Sequence, residues 1–424
     1  MRGLSGGANR GSTHMANEAD ARRGFRTGKE EKRNFSLLRG RKRAEKEDGL
    51  DYYDYNLMAV VVLLTCFGLV MLYSTSAYEA SVTFQNDMHY FEKQSLISIA
   101  AFVLMLIFSK IDYHIYARYA WPLFIVSNIL LIATRFIGRT INGARRWIYI
   151  GSISFQPAEL AKVAIILFLP MLIVKAGFRF KKFKVPAQIG ALGAGTAVLT
   201  YLFTENLSTA VIILGITYIL IVVAHPNPGK LLRLTAIVIV AGLILVQILR
   251  VTGVMDSMTQ SGSFRIQRIA TWLHPEENQD KGGYQVMQGL YAIGSGGIFG
   301  KGLGNSAQKL GALPEAQNDM IFSIICEELG ILGAMIVVLL FVFLLWRLFF
   351  IATNAPDLLG SLIATGIFAH ISLQVVLNIA VVLNVIPTTG ITLPFVSYGG
   401  TSILFLMTEM MLALSISGQI RMKK

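Results

Sequence analysis

The sequence predicts an all-α integral membrane protein of about ten transmembrane helices, with both termini cytoplasmic and one large extracytoplasmic loop between spans 7 and 8. Of the 424 residues, 54% are hydrophobic and only 15% are charged, whereas soluble domains carry about 25% charged residues. The apolar residues also come in blocks of about 20, the length that a helix needs to cross a bilayer. The predicted spans are 56–75, 94–109, 119–135, 159–176, 186–203, 208–224, 234–252, 319–349, 358–385 and 398–417.

The two ends of the chain are polar. Residues 1–50 hold 13 Lys/Arg and 7 Asp/Glu and are predicted to form a disordered basic cytoplasmic tail, whose first 15 residues resemble a cloning-derived leader. Because no apolar stretch precedes residue 56, we expect the first span to direct insertion without a cleavable signal peptide. The net charge of +13 fits membrane lipid beside this tail better than nucleic acid. The transmembrane domain is predicted to cover 51–418, followed by a cytoplasmic tail at 419–424.

The Lys and Arg residues of the short loops set the predicted orientation. An N-terminus on the inside places the basic loops at 175–184 and 230–233 in the cytoplasm. It leaves 136–158, 253–318 and 386–397 outside.

The outer loop at 135–146 departs from this rule, because it carries four arginines and no acid. Since the planar arginine fork matches phosphate oxygens, Arg145 and Arg146 are candidate anion-binding residues. A miscounted span or contact with lipid headgroups would explain the same charges.

The segment TGITLPFVSYGGTS (389–402) combines Gly, Pro and hydroxyl residues at the predicted membrane edge. Such irregular backbone is tolerated at membrane depth only where it is buried in protein or lines a polar cavity. We therefore predict that this signature segment forms the wall of a cavity.

Glu159 and Lys162 follow Gln156-Pro157, a helix-start signal, and share one face of the predicted helix. Ionisable residues within a span are costly, normally pair and often mark function. An internal salt bridge that orients two helices and a direct role in a site are both open interpretations.

The segment LPEAQNDMIFSIICEELG (313–330) enters span 8 from outside and brings Asp319 to its start. A helix N-terminus favours the carboxylate form, whereas burial disfavours it. Asp319 is therefore a candidate base, and simple N-capping is the alternative. Glu315 could share the site, and Glu327 and Glu328 are expected to satisfy neighbouring polar groups.

The Gly-rich run IGSGGIFGKGLGNS (293–306) superficially resembles a phosphate-binding loop. It fails that pattern, because Gly302 instead of Ser or Thr follows Lys301. We predict a flexible or re-entrant loop. Lys301, Lys309, Arg265 and Arg268 give this outer region an anion-attracting character.

These motifs, with NGARRWI (142–148) and QPAELAK (156–162), resemble in type and order the SEDS family, named for shape, elongation, division and sporulation. The resemblance covers about 51–418. ITLPF after Gly390 and the basic tail are closer to the division (FtsW) and sporulation (SpoVE) branches than to the elongation (RodA) branch. PEAQND is similar to forms in Gram-positive bacteria.

One departure is TENLST, where many members have a QPDLGT-like sequence, so Asn206 replaces an acid whose role cannot be carried over.

The resemblance implies a peptidoglycan glycosyltransferase in the bacterial cytoplasmic membrane, at the division septum, that polymerises lipid II. A class B penicillin-binding protein and other divisome proteins would be its partners. Asp319 would be the catalytic base, and a divalent cation such as Mg²⁺ or Mn²⁺ could assist, although the sequence shows no metal-ligand spacing. The predicted substrate-binding residues are Arg145, Arg146, Glu159, Lys162, Lys301, Ser397 and Thr401.

A lipid II flippase and a non-catalytic divisome scaffold are the alternatives. Transport predicts the important charges near the bilayer centre with access from both faces, whereas catalysis predicts them on the outer side. Because Asp319, Arg145 and Arg146 are predicted outside, the sequence favours the enzyme.

Overall fold

The computed structural model describes residues 50–141, 144–151, 153–233, 235–237, 240, 264–279, 282–311 and 313–422. The chain forms two units, one of residues 1–52 with 421–424 and one of residues 53–420. Strand β1 (Leu50–Tyr52) belongs to the first unit and forms a two-stranded sheet with β5 (Ile420–Met422). The helices and the candidate site all belong to the second unit.

The second unit is built mainly from α-helices. A 3-10 turn (Gly177–Lys181) follows the fifth of them. In chain order the helices are α1 (Tyr55–Phe84), α2 (His89–Phe108), α3 (Tyr113–Arg118), α4 (Ala120–Ile137), α5 (Pro157–Ala176), α6 (Lys184–Thr204), α7 (Leu207–Ala224), α8 (Phe264–Leu273), α9 (Gly283–Gly296), α10 (Ile321–Asn354), α11 (Leu358–Val382) and α12 (Ser402–Ser417).

Among the residues that the structure describes, 8 helices are long and apolar enough to cross a membrane: α1, α2, α4, α5, α6, α7, α10 and α11. Helix α12 is apolar but has only 16 residues. The predicted span at 234–252 and residues 1–49 of the predicted tail lie largely outside the described residues. The all-α membrane class is confirmed, whereas ten spans and the inside–outside orientation stay predictions.

Several helices begin where the sequence supplies a capping residue. Asn206 Oδ1 accepts a hydrogen bond from Thr209 N at 3.1 Å at the start of α7. Asp357 Oδ1 does the same for Gly360 N at 2.7 Å at the start of α11. Pro157 occupies the first turn of α5, as predicted. These bonds satisfy N–H groups that have no partner inside their own helix.

A small antiparallel sheet in the predicted outer loop was not expected from the sequence. It consists of β2 (Arg139–Ile141), β3 (Ala144–Ile150) and β4 (Ile153–Phe155), in the order β2-β3-β4. Successive side chains of a strand point to opposite faces of its sheet. The adjacent residues Arg145 and Arg146 of β3 therefore face different surroundings.

Helices α5 and α11 form the centre of the second unit. Helix α11 packs against α5, α7, α10 and α12, and α5 is buried without a break from Ala161 to Pro170. This continuous burial shows that α5 is enclosed by other parts of the protein along this stretch. The signature segment and the small sheet lie next to the ends of these central helices.

Candidate functional site

The signature segment connects α11 to α12 through irregular backbone. Gly390 and Gly400 have φ angles of +69° and +51°, which glycine adopts without steric cost. Because α1 carries Gly68 at its contact with this segment, the backbone can approach closely; an added Cβ there would lie 2.5 Å from Phe395 O. Side chains of other elements satisfy its carbonyls: Ser208 Oγ donates to Thr389 O, Asn378 Nδ2 to Ile391 O at 2.6 Å and Gln374 Nε2 to Thr392 O at 3.0 Å. The backbone of the segment is therefore buried in protein, whereas its role as the wall of a cavity stays a prediction.

The hydroxyls of Ser397 and Thr401 make bonds inside the protein. Ser397 Oγ accepts a hydrogen bond from Leu393 N at 2.8 Å, and Thr401 Oγ1 donates one to Ser154 O at 2.6 Å. Both residues are buried. This geometry supports a role in shaping the signature segment and holding it against β4, and gives no support to contact with a ligand.

Asp319 lies beside the signature segment, just before α10 begins at Ile321. The N-cap of α10 is Met320, so Asp319 does not cap the helix. Asn378 Nδ2 donates to Asp319 O at 2.9 Å. A Cβ added at Gly390 would lie 3.8 Å from Asp319 Oδ2. Asp319 and the signature segment are therefore neighbours in the structure.

The electrostatic surroundings of Asp319 favour a proton acceptor that works at neutral pH. Burial raises the pKa of Asp319 to about 7, and the nearby Glu315 carboxylate adds to the rise, whereas Arg268 and Arg146 oppose it. Gln285 Nε2 lies 3.4 Å from Asp319 Oδ1, which is long for a hydrogen bond. A general base is most effective when its pKa lies near the working pH.

Two arginines provide positive charge at this carboxyl. Arg146 donates through Nη2 to Glu205 O at 3.3 Å, while its Nε is buried without a partner in the described part of the chain. Arg268 of α8 donates through Nη1 to Thr388 O at 3.1 Å. Burial lowers the pKa of both guanidinium groups, and the charge of Arg268 lowers that of Arg146 further. Two cations held together against their mutual repulsion form a receptor for an anion.

Arg145 lies apart from this pair. Its side chain is exposed and donates to Arg135 O at 2.9 Å and to Thr140 Oγ1 at 3.2 Å. The predicted pairing of Arg145 with Arg146 at one anion does not appear in the structure, because the two neighbours alternate across β3.

Glu159 and Lys162 form the internal salt bridge that the sequence allowed. Lys162 Nζ lies 2.9 Å from Glu159 Oε1, and both residues are buried. Lys162 also donates to Gln374 Oε1 at 3.4 Å, and Gln374 in turn donates to Thr392 O at 3.0 Å. The pair thereby braces α5 against α11 and the signature segment, which supports the structural interpretation of these two residues.

Lys301 belongs to a second cluster of buried charge. Its Nζ lies 2.6 Å from Glu327 Oε1, and Lys309 Nζ lies 2.8 Å from Glu328 Oε1. Both glutamates are fully buried. The expectation that Glu327 and Glu328 satisfy neighbouring polar groups is confirmed, and Lys301 serves one of them.

The Gly-rich loop donates and accepts backbone hydrogen bonds at a break in α10. Gly330 has a non-helical φ of +68°, which removes backbone hydrogen bonds of the helix at this point. Lys301 N and Gly302 N donate to Glu327 O and Glu328 O, each at 2.9 Å, while Ile331 N donates to Gly297 O at 3.0 Å. The loop thus folds against α10 through backbone hydrogen bonds, and whether it is flexible or re-entrant in the membrane stays a prediction.

The whole second unit matches a known protein family. The FtsW/RodA/SpoVE family model, described as "Cell cycle protein", covers residues 54–422. This chain belongs to the FtsW/RodA/SpoVE family. The resemblance drawn from the motifs is confirmed, and the multi-pass membrane character follows from both the family and the helices.

The match between this family member and its named relatives extends over nearly the full length of those relatives. Stage V sporulation protein E of Bacillus subtilis is 35% identical over 367 residues, which cover 86% of this chain and 96% of that protein. A probable peptidoglycan glycosyltransferase FtsW of Geobacter sp. is 33% identical over 371 residues, covering 87% and 98% respectively.

Two solved structures share the fold of this family member. One, from a peptidoglycan synthase complex that coordinates polymerization and crosslinking, has a TM-score of 0.66 at 26% identity and covers 86% of this chain and 97% of that chain. The other is rod shape determining protein RodA of Thermus thermophilus, with a TM-score of 0.59 at 25% identity, covering 86% and 96%.

In this family member, the described residues contain no group of three or more His, Cys, Asp or Glu side chains that could hold a metal ion. The expectation of Mg²⁺ or Mn²⁺ therefore stays a prediction. Sequence reasoning missed the place of Arg268 opposite Asp319, because the long outer loop has no spacing that indicates which of its cations returns to the site.

Proposed function

We propose that this chain is a peptidoglycan glycosyltransferase that polymerises lipid II on the outer face of the cytoplasmic membrane, during septal or spore wall synthesis. The observation that carries the proposal is the meeting of Asp319 with Arg146 and Arg268. It occurs in a member of a family whose relatives include proteins named as peptidoglycan glycosyltransferases. The family supports the reaction, and the geometry supports the role of each residue.

The reaction joins two lipid-linked disaccharides. The 4-hydroxyl of one attacks the anomeric carbon of the other, so a glycosidic bond forms while the bond to undecaprenyl pyrophosphate breaks. Asp319 accepts the proton of the attacking hydroxyl, since its pKa near 7 leaves much of it ionised at neutral pH. Arg146 and Arg268 stabilise the charge that develops on the leaving pyrophosphate.

The roles of the other predicted residues change with the geometry. Glu159 and Lys162 hold α5 against α11 and the signature segment, and Ser397 and Thr401 fix the shape of that segment. Lys301 is engaged by Glu327, and Arg145 by Thr140 and Arg135, so we propose Arg268 beside Arg146 as the second cation at the pyrophosphate.

A membrane enzyme suits this substrate, because the lipid tails of lipid II cannot leave the bilayer. The tails would lie between the helices while the sugars occupy the layer of Asp319. A class B penicillin-binding protein and other divisome proteins are the proposed partners, and the division septum is the proposed site of action. The similarity to a chain from a peptidoglycan synthase complex supports such a partnership.

Purified protein and lipid II, with and without a class B penicillin-binding protein, test the proposal. We expect glycan polymer on a gel for the wild type and none for Asp319→Asn. Normal polymer from the variant would refute the base assignment. Translocation of lipid II across vesicles by a wild type that forms no polymer would favour the flippase alternative.

A further inference from the structure

The turn between α5 and α6, residues 175–184, is a basic and aromatic surface that the proposed reaction does not use. Its sequence is KAGFRFKKFK, with five cations and no acid. We propose that this basic turn binds the headgroups of anionic phospholipids, with Phe178 and Phe183 inserted between the lipids.

The backbone of the basic turn is fixed to the protein. The 3-10 turn follows α5 directly, and Gly177 has a φ of +49° that redirects the chain. Phe180 is only 4% exposed, and its ring centroid lies 6.1 Å from that of His225 at the end of α7. One phenylalanine of the three therefore holds the turn in place.

The other two phenylalanines project away from the protein. Phe178 is 91% exposed and Phe183 is 75% exposed. Lys181 Nζ lies 5.9 Å from the centroid of the Phe178 ring. Apolar rings of this exposure, set among cations, match the boundary between headgroups and acyl chains.

The cations of the basic turn have no acidic partner within the described part of the chain. Its five lysine and arginine side chains are exposed, and none forms a salt bridge to a described carboxylate. Lys230 and Arg233, in the segment that follows His225, add two further exposed cations. The five cations of the turn are Lys175, Arg179, Lys181, Lys182 and Lys184.

The location of the turn favours a lipid over a protein segment. Helices α5 and α6 are both able to span a membrane, so their connection lies at a bilayer surface in either orientation. Anionic headgroups attract Lys and Arg there, and the aliphatic stems of these side chains reach to the interface. An acidic peptide in solution would match the cations but leave both phenylalanines in water.

Quenching by brominated lipid tests this proposal directly. In a variant with all four native tryptophans replaced by phenylalanine, Phe178→Trp places a single fluorophore in the turn. The full chain is reconstituted in phosphatidylcholine vesicles with equal fractions of either brominated phosphatidylglycerol or brominated phosphatidylcholine. We expect a relative binding constant about fivefold in favour of phosphatidylglycerol.

Two matched variants decide the outcome. Replacing Arg179, Lys181, Lys182 and Lys184 with glutamine should abolish the preference. Phe299→Trp in the same tryptophan-free background, at a residue that is 79% exposed and far along the chain, should show no preference. Equal quenching by both lipids at residue 178, or a preference that survives the four substitutions, would overturn the proposal. If equal quenching is accompanied by binding of soluble polyglutamate, the turn is assigned to an acidic protein segment instead of a lipid.

Discussion

Asp319 and Glu328 stand close together in the sequence, at the start of α10, yet their surroundings are opposite. Glu328 receives hydrogen bonds from Ser74 Oγ and Lys309 Nζ, both at 2.8 Å. Asp319 faces Gln285 at 3.4 Å and the repulsion of Glu315, and burial raises its pKa to about 7. The carboxylate of Glu328 has short hydrogen bonds to its partners, whereas the carboxyl of Asp319 has a long one to Gln285 and stays free to react.

This comparison distinguishes buried charges that stabilise the fold from a buried carboxyl that can take part in a reaction. A buried carboxylate with short bonds to a cation and a hydroxyl supports the fold, because its loss leaves the cation without a partner. A carboxyl with weak partners and a pKa near neutrality can exchange a proton during a reaction. Burial alone does not mark a catalytic acid or base; the partners that share the burial decide.

The largest expected effect comes from Asp319→Asn. Polymerisation of lipid II should fall by at least about a hundredfold, because a general base contributes about 10²–10⁴-fold. The thermal unfolding midpoint in detergent should stay close to that of the wild type, because Asp319 forms no salt bridge with the described residues. A large loss of stability with proportionate loss of activity would instead place Asp319 with the structural carboxylates.

Glu328→Ala should show the reverse pattern. Removing one partner of a buried ion pair costs about 3–5 kcal/mol, because the other charge is left uncompensated. We expect a strongly lowered unfolding midpoint, measured by thermal denaturation in detergent, while the protein that remains folded retains its turnover. The matched double variant Glu328→Met with Lys309→Met removes both charges and should recover much of the loss. A stable Glu328→Ala with abolished turnover would contradict the comparison.

The sequence predicted the spans well because length and apolarity are local properties. Helix α5 was expected over 159–176 and covers Pro157–Ala176, and α11 was expected over 358–385 and covers Leu358–Val382. Helix α1 runs to Phe84, past the predicted end at residue 75, and its last four residues, 81–84, are exposed.

The site was predicted only in part, because contacts between distant segments are not local. Asp319 was predicted from its position at a helix start, and Arg146 from its charge in an outer loop. Arg268 was not assigned to the site, since only the fold brings α8 back to Asp319. Ser397 and Thr401 were predicted to bind substrate, whereas in the structure their hydroxyls bond to backbone groups of segments whose contact the sequence cannot show.

Adjacent arginines on β3 sharpen the comparison at a smaller scale. Arg146→Ala should lower kcat/KM for lipid II by about tenfold to a hundredfold, because a charge at the leaving group is lost. Arg145→Ala should change kcat/KM by less than about twofold, since exposed polar contacts contribute little. Steady-state polymerisation kinetics on both variants measure the difference. Equal losses would mean that both arginines reach the substrate and that the alternation across β3 does not separate them.

The smallest effect is a shift of the pH–rate profile, and it tests the cause of the raised pKa of Asp319. Asp319 must be ionised to accept a proton, so activity should be lost as the pH falls through about 7. The Glu315 carboxylate raises this pKa by repulsion, so Glu315→Gln should move the acidic limb of kcat/KM to lower pH. Arg268 lowers the pKa, so Arg268→Gln should move the limb to higher pH.

Each shift should be about one pH unit or less, since one unit corresponds to about 1.4 kcal/mol of interaction. Shifts in the same direction for both variants would show that the limb reports another group, and Asp319 would then join the carboxylates that only support the fold.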